Sequence, residues 1–309
     1  MSTGTTTLLP QAGPRAYSAF SLGRIWTIAT NTFTQLLRMK ILIFLGVFAL
    51  IVLAFAFGTP AALSADQQFA MLKNGSFGSL QFFSIVIAIA ATALLIPRDV
   101  EDRTLYTILC KPVPRHEYLV GKLLGVILLL GGGLIVMDVI FCGVLWIKQS
   151  LLSHAYLSSL QADHKDTPEN LAQVREIVAN FGPSWSLHAG LWCVFLKACV
   201  MASMALLMSC IASSTLFTII VSLCFTIAGQ GQGLLRSFVL KSMTVTWKKL
   251  FSFIIAVICP DLTLFDMVDA AVRGSTIPVF YLAQVTGFAV LYIVLYTAVA
   301  YLFFAEKEL

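Results

Sequence analysis

Six apolar stretches, each bounded by charged or proline-containing breaks, constrain this 309-residue chain more than any other feature. A helix needs about 20 mostly apolar residues to cross ~30 Å of hydrocarbon at 1.5 Å per residue. Residues 41–58, 77–96, 119–147, 187–208, 216–228 with its flanks, and 279–304 supply such runs. Pro97 is expected to close the second of them, because proline removes a backbone donor and crowds the preceding turn. Only 11% of the residues are charged and 59% are hydrophobic, against about 25% charge in a soluble domain. The expected fold is therefore an all-α integral membrane protein with six transmembrane helices. An even number of crossings puts both ends of the chain on one side.

Charge beside the first spans sets that side. Arg24, Arg38 and Lys40 precede the first run, and only Lys73 separates it from the second, which predicts a cytoplasmic N-terminus. Summed along the chain, ten Lys or Arg fall on the cytoplasmic side and nine on the other, so the first spans carry this assignment. Trp146 and Trp185 mark one interface as an aromatic belt would. Residues 1–18 have no apolar core and no cleavage pattern, and read as a disordered tail rather than a signal peptide. The net charge of +5 is spread along the chain, which argues against nucleic-acid binding. Most of the seven cysteines sit inside apolar runs without zinc-type spacing, so they read as small buried hydrophobes, and no metal is expected.

The segments between the spans have their own patterns. In 19–39, Ile25, Trp26, Ala29, Phe33, Leu36 and Leu37 recur at helical spacing among Arg24, Asn31, Gln35 and Arg38. That is an amphipathic helix expected to lie in the interface plane. The polar stretch 148–186 includes Thr167-Pro168-Glu169-Asn170, an N-cap followed by proline at the first helical position, which predicts a small helical cap. His154, Asp163, His164, Asp166 and Glu169 are too irregularly spaced for a metal site. Within 230–277, the apolar piece 250–259 is too short to cross before Pro260-Asp261, and predicts a re-entrant or interfacial segment.

Nine of the chain's 35 charged residues fall within the 25 positions 98–122. Val100, Leu105, Ile108 and Leu109 give one apolar face, with Asp99, Glu101 and Asp102 at its start and Lys111 at its end. That charge order suits a helix dipole. Pro112 and Pro114 then forbid continuation. The pattern predicts a short amphipathic helix over about 99–110, held at the membrane face and suited to docking on a soluble partner.

The run Glu101-Asp102-Arg103-Thr104-Leu105, then Leu109, Lys111-Pro112-Val113-Pro114-Arg115 and Gly121-Lys122-Leu123-Leu124-Gly125, resembles the cytoplasmic loop of ABC-2 type exporter permeases. Thr30-Asn31-Thr32-Phe33 with Leu37-Arg38 is similar to that family's elbow helix. Gly229-Gln230, Cys259-Pro260-Asp261-Leu262 and the ending Phe303 to Leu309 resemble its late extracytoplasmic segment and charged tail. Arg103 stands where the family usually has Gly, and Thr32 where an acidic residue is common. The resemblance implies an elbow helix (19–39), a permease domain (40–304) with a coupling loop (97–118), and a cytoplasmic tail (305–309) in a bacterial inner membrane. It further implies that Asp99, Glu101, Asp102, Arg103, Thr104, Leu105, Leu109, Lys111, Pro112 and Arg115 couple the chain to a separate ATP-binding-cassette subunit. Two copies of that ATPase would bind ATP and Mg, and two permeases, identical or not, would line the path among membrane lipids.

This chain has no Gly-x-x-x-x-Gly-Lys-Ser/Thr of its own: Gly121-Lys122 is followed by Leu123. It is therefore expected to hold no cofactor and to catalyse nothing alone. Two charges fall within the spans, Asp138 and Lys197, each about ten residues inside the outer end of its run. Intramembrane charge is costly unless paired or hydrated, so the two are expected to approach each other or to share a polar cavity. The alternative function is a secondary transporter or channel without an ATPase, which inverted repeats or broken half-helices would mark. The sequence displays neither, and the apolar spans leave the cargo open.

Overall fold

The computed structural model describes residues 21–38, 42–58, 65–101, 114–162, 182, 184–212, 214–241, 259–275 and 277–306. These form eight α-helices: α1 (Leu22–Leu37), α2 (Leu42–Phe57), α3 (Ala65–Glu101), α4 (Arg115–Ala162), α5 (Trp185–Ile211), α6 (Thr215–Lys241), α7 (Val268–Val272) and α8 (Val279–Glu306). A 3-10 turn, Leu262–Phe265, precedes α7. Five helices, α3, α4, α5, α6 and α8, are long and apolar enough to cross a membrane, which makes this a multi-pass membrane protein by composition and helix length. The expected sixth, α2, has 16 residues. At 1.5 Å per residue it reaches only ~24 Å, short of ~30 Å.

The bundle is built around α5, which packs on α3, α4, α6, α7, α8 and the 3-10 turn. Small residues let it sit there: Ala198, Cys199, Ala202 and Ala205 are all buried along it. The outer helices turn bulky apolar side chains away from the bundle, among them Ile135, Val139, Leu216, Leu291 and Val294, each more than 60% exposed. In water so much apolar surface would drive aggregation; against lipid tails it costs nothing.

Three boundaries differ from the sequence expectation. Pro97 does not close the second span, since α3 runs through it to Glu101. One missing N–H so near a helix end is tolerated when neighbouring groups satisfy the freed carbonyl. The third span does not stop at residue 147, because α4 continues to Ala162 and takes up much of the expected polar loop. The fifth extends through α6 to Lys241. The small cap expected after residue 167 lies outside the described residues.

α1 does not lie across the end of the bundle as an in-plane helix would. It runs beside α4 in the same direction, one turn against one turn: Arg24 meets Glu117, Ile28 meets Gly121, and Thr32 meets Gly125. The buried stripe Ile25, Ala29, Thr32, Leu36 makes that seam. A Cβ on Gly121 would come within 2.8 Å of Ile28, and one on Gly125 within 2.6 Å of Thr32, so only glycine lets the two backbones approach. α2 then continues along α4, where Lys148 Nζ donates to the carbonyl of Ala56. An apolar cavity of about 250 Å³ opens where α1 gives way to α2, lined in part by Leu37, Leu45, Gly132 and Gly133. Nothing lies within 4 Å of a Cβ added at Gly132 or Gly133, so no close contact demands glycine there.

The stretch 259–272 threads between α5, α6 and α3. Leu262 packs with Ile85, Ile89 and Met201 in the bundle's middle, and Gln232 Nε2 donates to the carbonyl of Cys259 at 2.7 Å. Ala271 reaches the start of α5, where Ser186 Oγ donates to its carbonyl at 3.3 Å. Over this stretch the chain climbs from mid-bundle to the end opposite Arg115.

Candidate functional site

The expected coupling residues fall mostly outside the described part: Asp102, Arg103, Thr104, Leu105, Leu109, Lys111 and Pro112 lie in 102–113. What is described is the base on which that loop stands, since the chain leaves at Glu101 in α3 and returns at Pro114 before α4. Both attachment points sit in a network of charged and aromatic side chains that joins α1, α3, α4 and α8.

Asp99, expected at the start of a docking helix, belongs to the last turn of α3 and is buried. Its carboxylate pairs with Lys122 Nζ of α4 at 2.6 Å and accepts a hydrogen bond from the Tyr118 hydroxyl. Lys122 also stands over the Tyr118 ring, 5.6 Å from its centroid. Two turns of α4 therefore hold α3 at the root of the loop. The pair has little net worth over an apolar substitute, because desolvation offsets attraction. Its importance is geometric, since removing one member would leave the other charge buried without this counter-charge.

Glu117, one turn into α4, is fully buried and holds the start of α1. Arg24 donates to it through Nε at 2.6 Å and Nη2 at 2.8 Å, and the Ser21 backbone N–H donates at 2.7 Å. A guanidinium fork on a carboxylate fixes orientation as well as distance. Arg115, a second described coupling candidate, donates through Nη1 to the carbonyls of Ala305 at 2.7 Å and Phe304 at 3.2 Å. These are last-turn carbonyls of α8 that no intrahelical donor among the described residues serves, and a cation there also suits the helix dipole. Phe304 stacks on Tyr118 with centroids 5.9 Å apart.

The sequence marks Asp99 and Arg115 only as docking residues, and does not single out Lys122 and Tyr118, which hold Asp99, or Glu117 and Arg24, which join α4 to α1. A signal was present: Glu117, Tyr118, Gly121, Lys122 and Gly125 recur at spacings of one, three and four, which stack two contact faces on one helix.

The expected intramembrane pair does not form. Asp138 faces His188 Nδ1 at 3.2 Å and Cys142 Sγ at 3.7 Å. Lys197 is buried in α5 with no hydrogen-bond partner for its Nζ among the described residues, and the opposing charge acting on it is Asp266, just past the 3-10 turn. Because Asp138 is level with His188, Lys197 lies nine residues further along α5, ~13 Å away by helical rise. No protein-family model matches this chain, and no curated protein is found similar to it.

Proposed function

We propose that this chain is the permease subunit of an ATP-driven exporter, moved by a separate ATP-binding-cassette ATPase that docks on the loop 102–113. One observation carries the reading: the two ends of that charged loop are rooted in side-chain contacts of the first two turns of α4, which also grip α1 and the end of α8. A load applied to such a loop is delivered to four helices at once through ion pairs and stacked rings, with no local chemistry required. The sequence agrees, since the chain lacks a phosphate-binding loop.

The finer topology goes with this reading. The network end is cytoplasmic, with both termini there. α1 and α2 act together as one interrupted crossing, and 259–272 is a re-entrant piece facing the outside. Two ATPases holding ATP and Mg would sit below a pair of permeases. A second reading, an ion-coupled transporter, draws on the buried Lys197, whose Nζ has no hydrogen-bond partner among the described residues and which feels the charge of Asp266.

The test exchanges Asp102-Arg103-Thr104-Leu105 for Gly/Ser residues. The variant should insert normally yet lose co-purification with an ATPase that the native chain retains. An unaltered yield of that ATPase refutes the docking role. Export that persists after ATP depletion but stops with an ionophore would favour the second reading.

A further inference from the structure

Asp138 and Cys142 stand one turn apart on α4, and His188 reaches them from the first turn of α5, 46 positions after Cys142. One ligand atom from each lies within 4.8 Å of the others. We propose that these three residues form a site for a divalent transition-metal ion of the zinc class, bridging α4 and α5 at the end opposite the charged network.

The distances support a preformed site. Zinc bonds of ~2.0 Å to oxygen and nitrogen and ~2.3 Å to sulfur, at tetrahedral angles, place oxygen and nitrogen roughly 3.3 Å apart and oxygen and sulfur roughly 3.5 Å apart. Here His188 Nδ1 lies 3.2 Å from Asp138 Oδ2 and Cys142 Sγ 3.7 Å from Asp138 Oδ1, and one ligand atom from each residue lies within 4.8 Å of the others, so the three side chains need only rotate inward to close on an ion. The mixture of thiolate, imidazole and carboxylate suits zinc or cobalt and disfavours magnesium and calcium, which take oxygen ligands. Access is provided as well, because the His188 side chain is 44% exposed, leaving a fourth position for water. Binding takes one proton from the Cys142 thiol and releases it to solvent. Since the ligands come from two helices, the ion fixes α4 against α5. Irregular spacing in the 154–169 region turned the sequence search away from metals; this set is invisible there because the fold, not the spacing, assembles it. The inference stands whether or not the chain is an exporter.

Cobalt titration of the tag-free, detergent-purified protein tests it. The expected result is one equivalent bound with a thiolate-to-cobalt charge-transfer band, displaced by zinc. Cys142→Ser should abolish the band, while Cys224→Ser, altering an exposed cysteine elsewhere, should keep it. His188→Ala should weaken zinc by at least about 100-fold, since even outer partners of a metal site contribute 10–100-fold. In the unmodified chain, zinc should slow maleimide labelling of Cys142 but not of Cys224, a measurement independent of whether the variants fold. No band, a band that survives Cys142→Ser, equal affinity in His188→Ala, or unprotected Cys142 each overturns the site.

Discussion

α5 and α8 each offer a 27-residue span of nearly equal mean hydropathy, yet 83% of the most apolar stretch of α5 is buried in protein and 22% of that of α8. Lipid tails are as apolar as leucine, so hydropathy cannot separate a helix that faces lipid from one that faces other helices. Residue size can. α5 is lined with Ala189, Gly190, Ala198, Ala202, Ser203 and Ala205, which admit neighbours on every side. α8 presents Phe280, Phe288, Leu291, Val294 and Leu302 outward and keeps Val285, Ala289, Tyr296 and Ala300 for one inner face. The difference implies two kinds of attachment: α5 is fixed by packing all round, and α8 by one face and by polar contacts at its end.

The largest effect is expected where the end network is broken. Lys122→Met strands the buried Asp99 carboxylate and should cost about 3–5 kcal/mol. Unfolding in detergent would measure it, and Asp99→Asn in the same chain should recover most of the loss; a silent single variant would mean that the network does not hold the helices. Overfilling the hub comes next. Ala198→Leu in α5 should cost about 1–3 kcal/mol, and a null result would show that α5 has room the structure denies. Arg115→Ala removes the donor to the α8 carbonyls and should cost about 1 kcal/mol. Hydrogen exchange should rise in the last turn of α8 and not in α5; equal change in both would dissolve the distinction. Last, Val290→Leu on the outer face of α8 should stay within about 0.5 kcal/mol, and a larger loss would place a protein partner, not lipid, on that face.

Much of this fold is legible in the sequence because hydrocarbon thickness demands long apolar runs. The cores of α2, α3, α4, α5, α6 and α8 all appear there as such. Pro97 misled because a proline near a helix end breaks nothing when neighbours serve the freed carbonyl. The pairing of Asp138 with Lys197 failed for a different reason: depth was counted from residue 147, but α4 continues past it, so the end of an apolar run was no datum for height. Sequence also contains no azimuth, and two charges at one height still need to face each other. Glu117 and Lys122 carry no mark of burial in the sequence, because the seam with α1 and the turn of α3 that enclose them are made by the fold.

The seam between α1 and α4 ends just below Gly131-Gly132-Gly133. Under it, α4 is splinted along its length by a second helix whose backbone rests on Gly121 and Gly125. Above it come three residues without side chains to brace the turn, at least two of them with nothing pressing on them. The three glycines and the cavity beside them thus mark the place on α4 between the stretch held by α1 and the stretch held by α2.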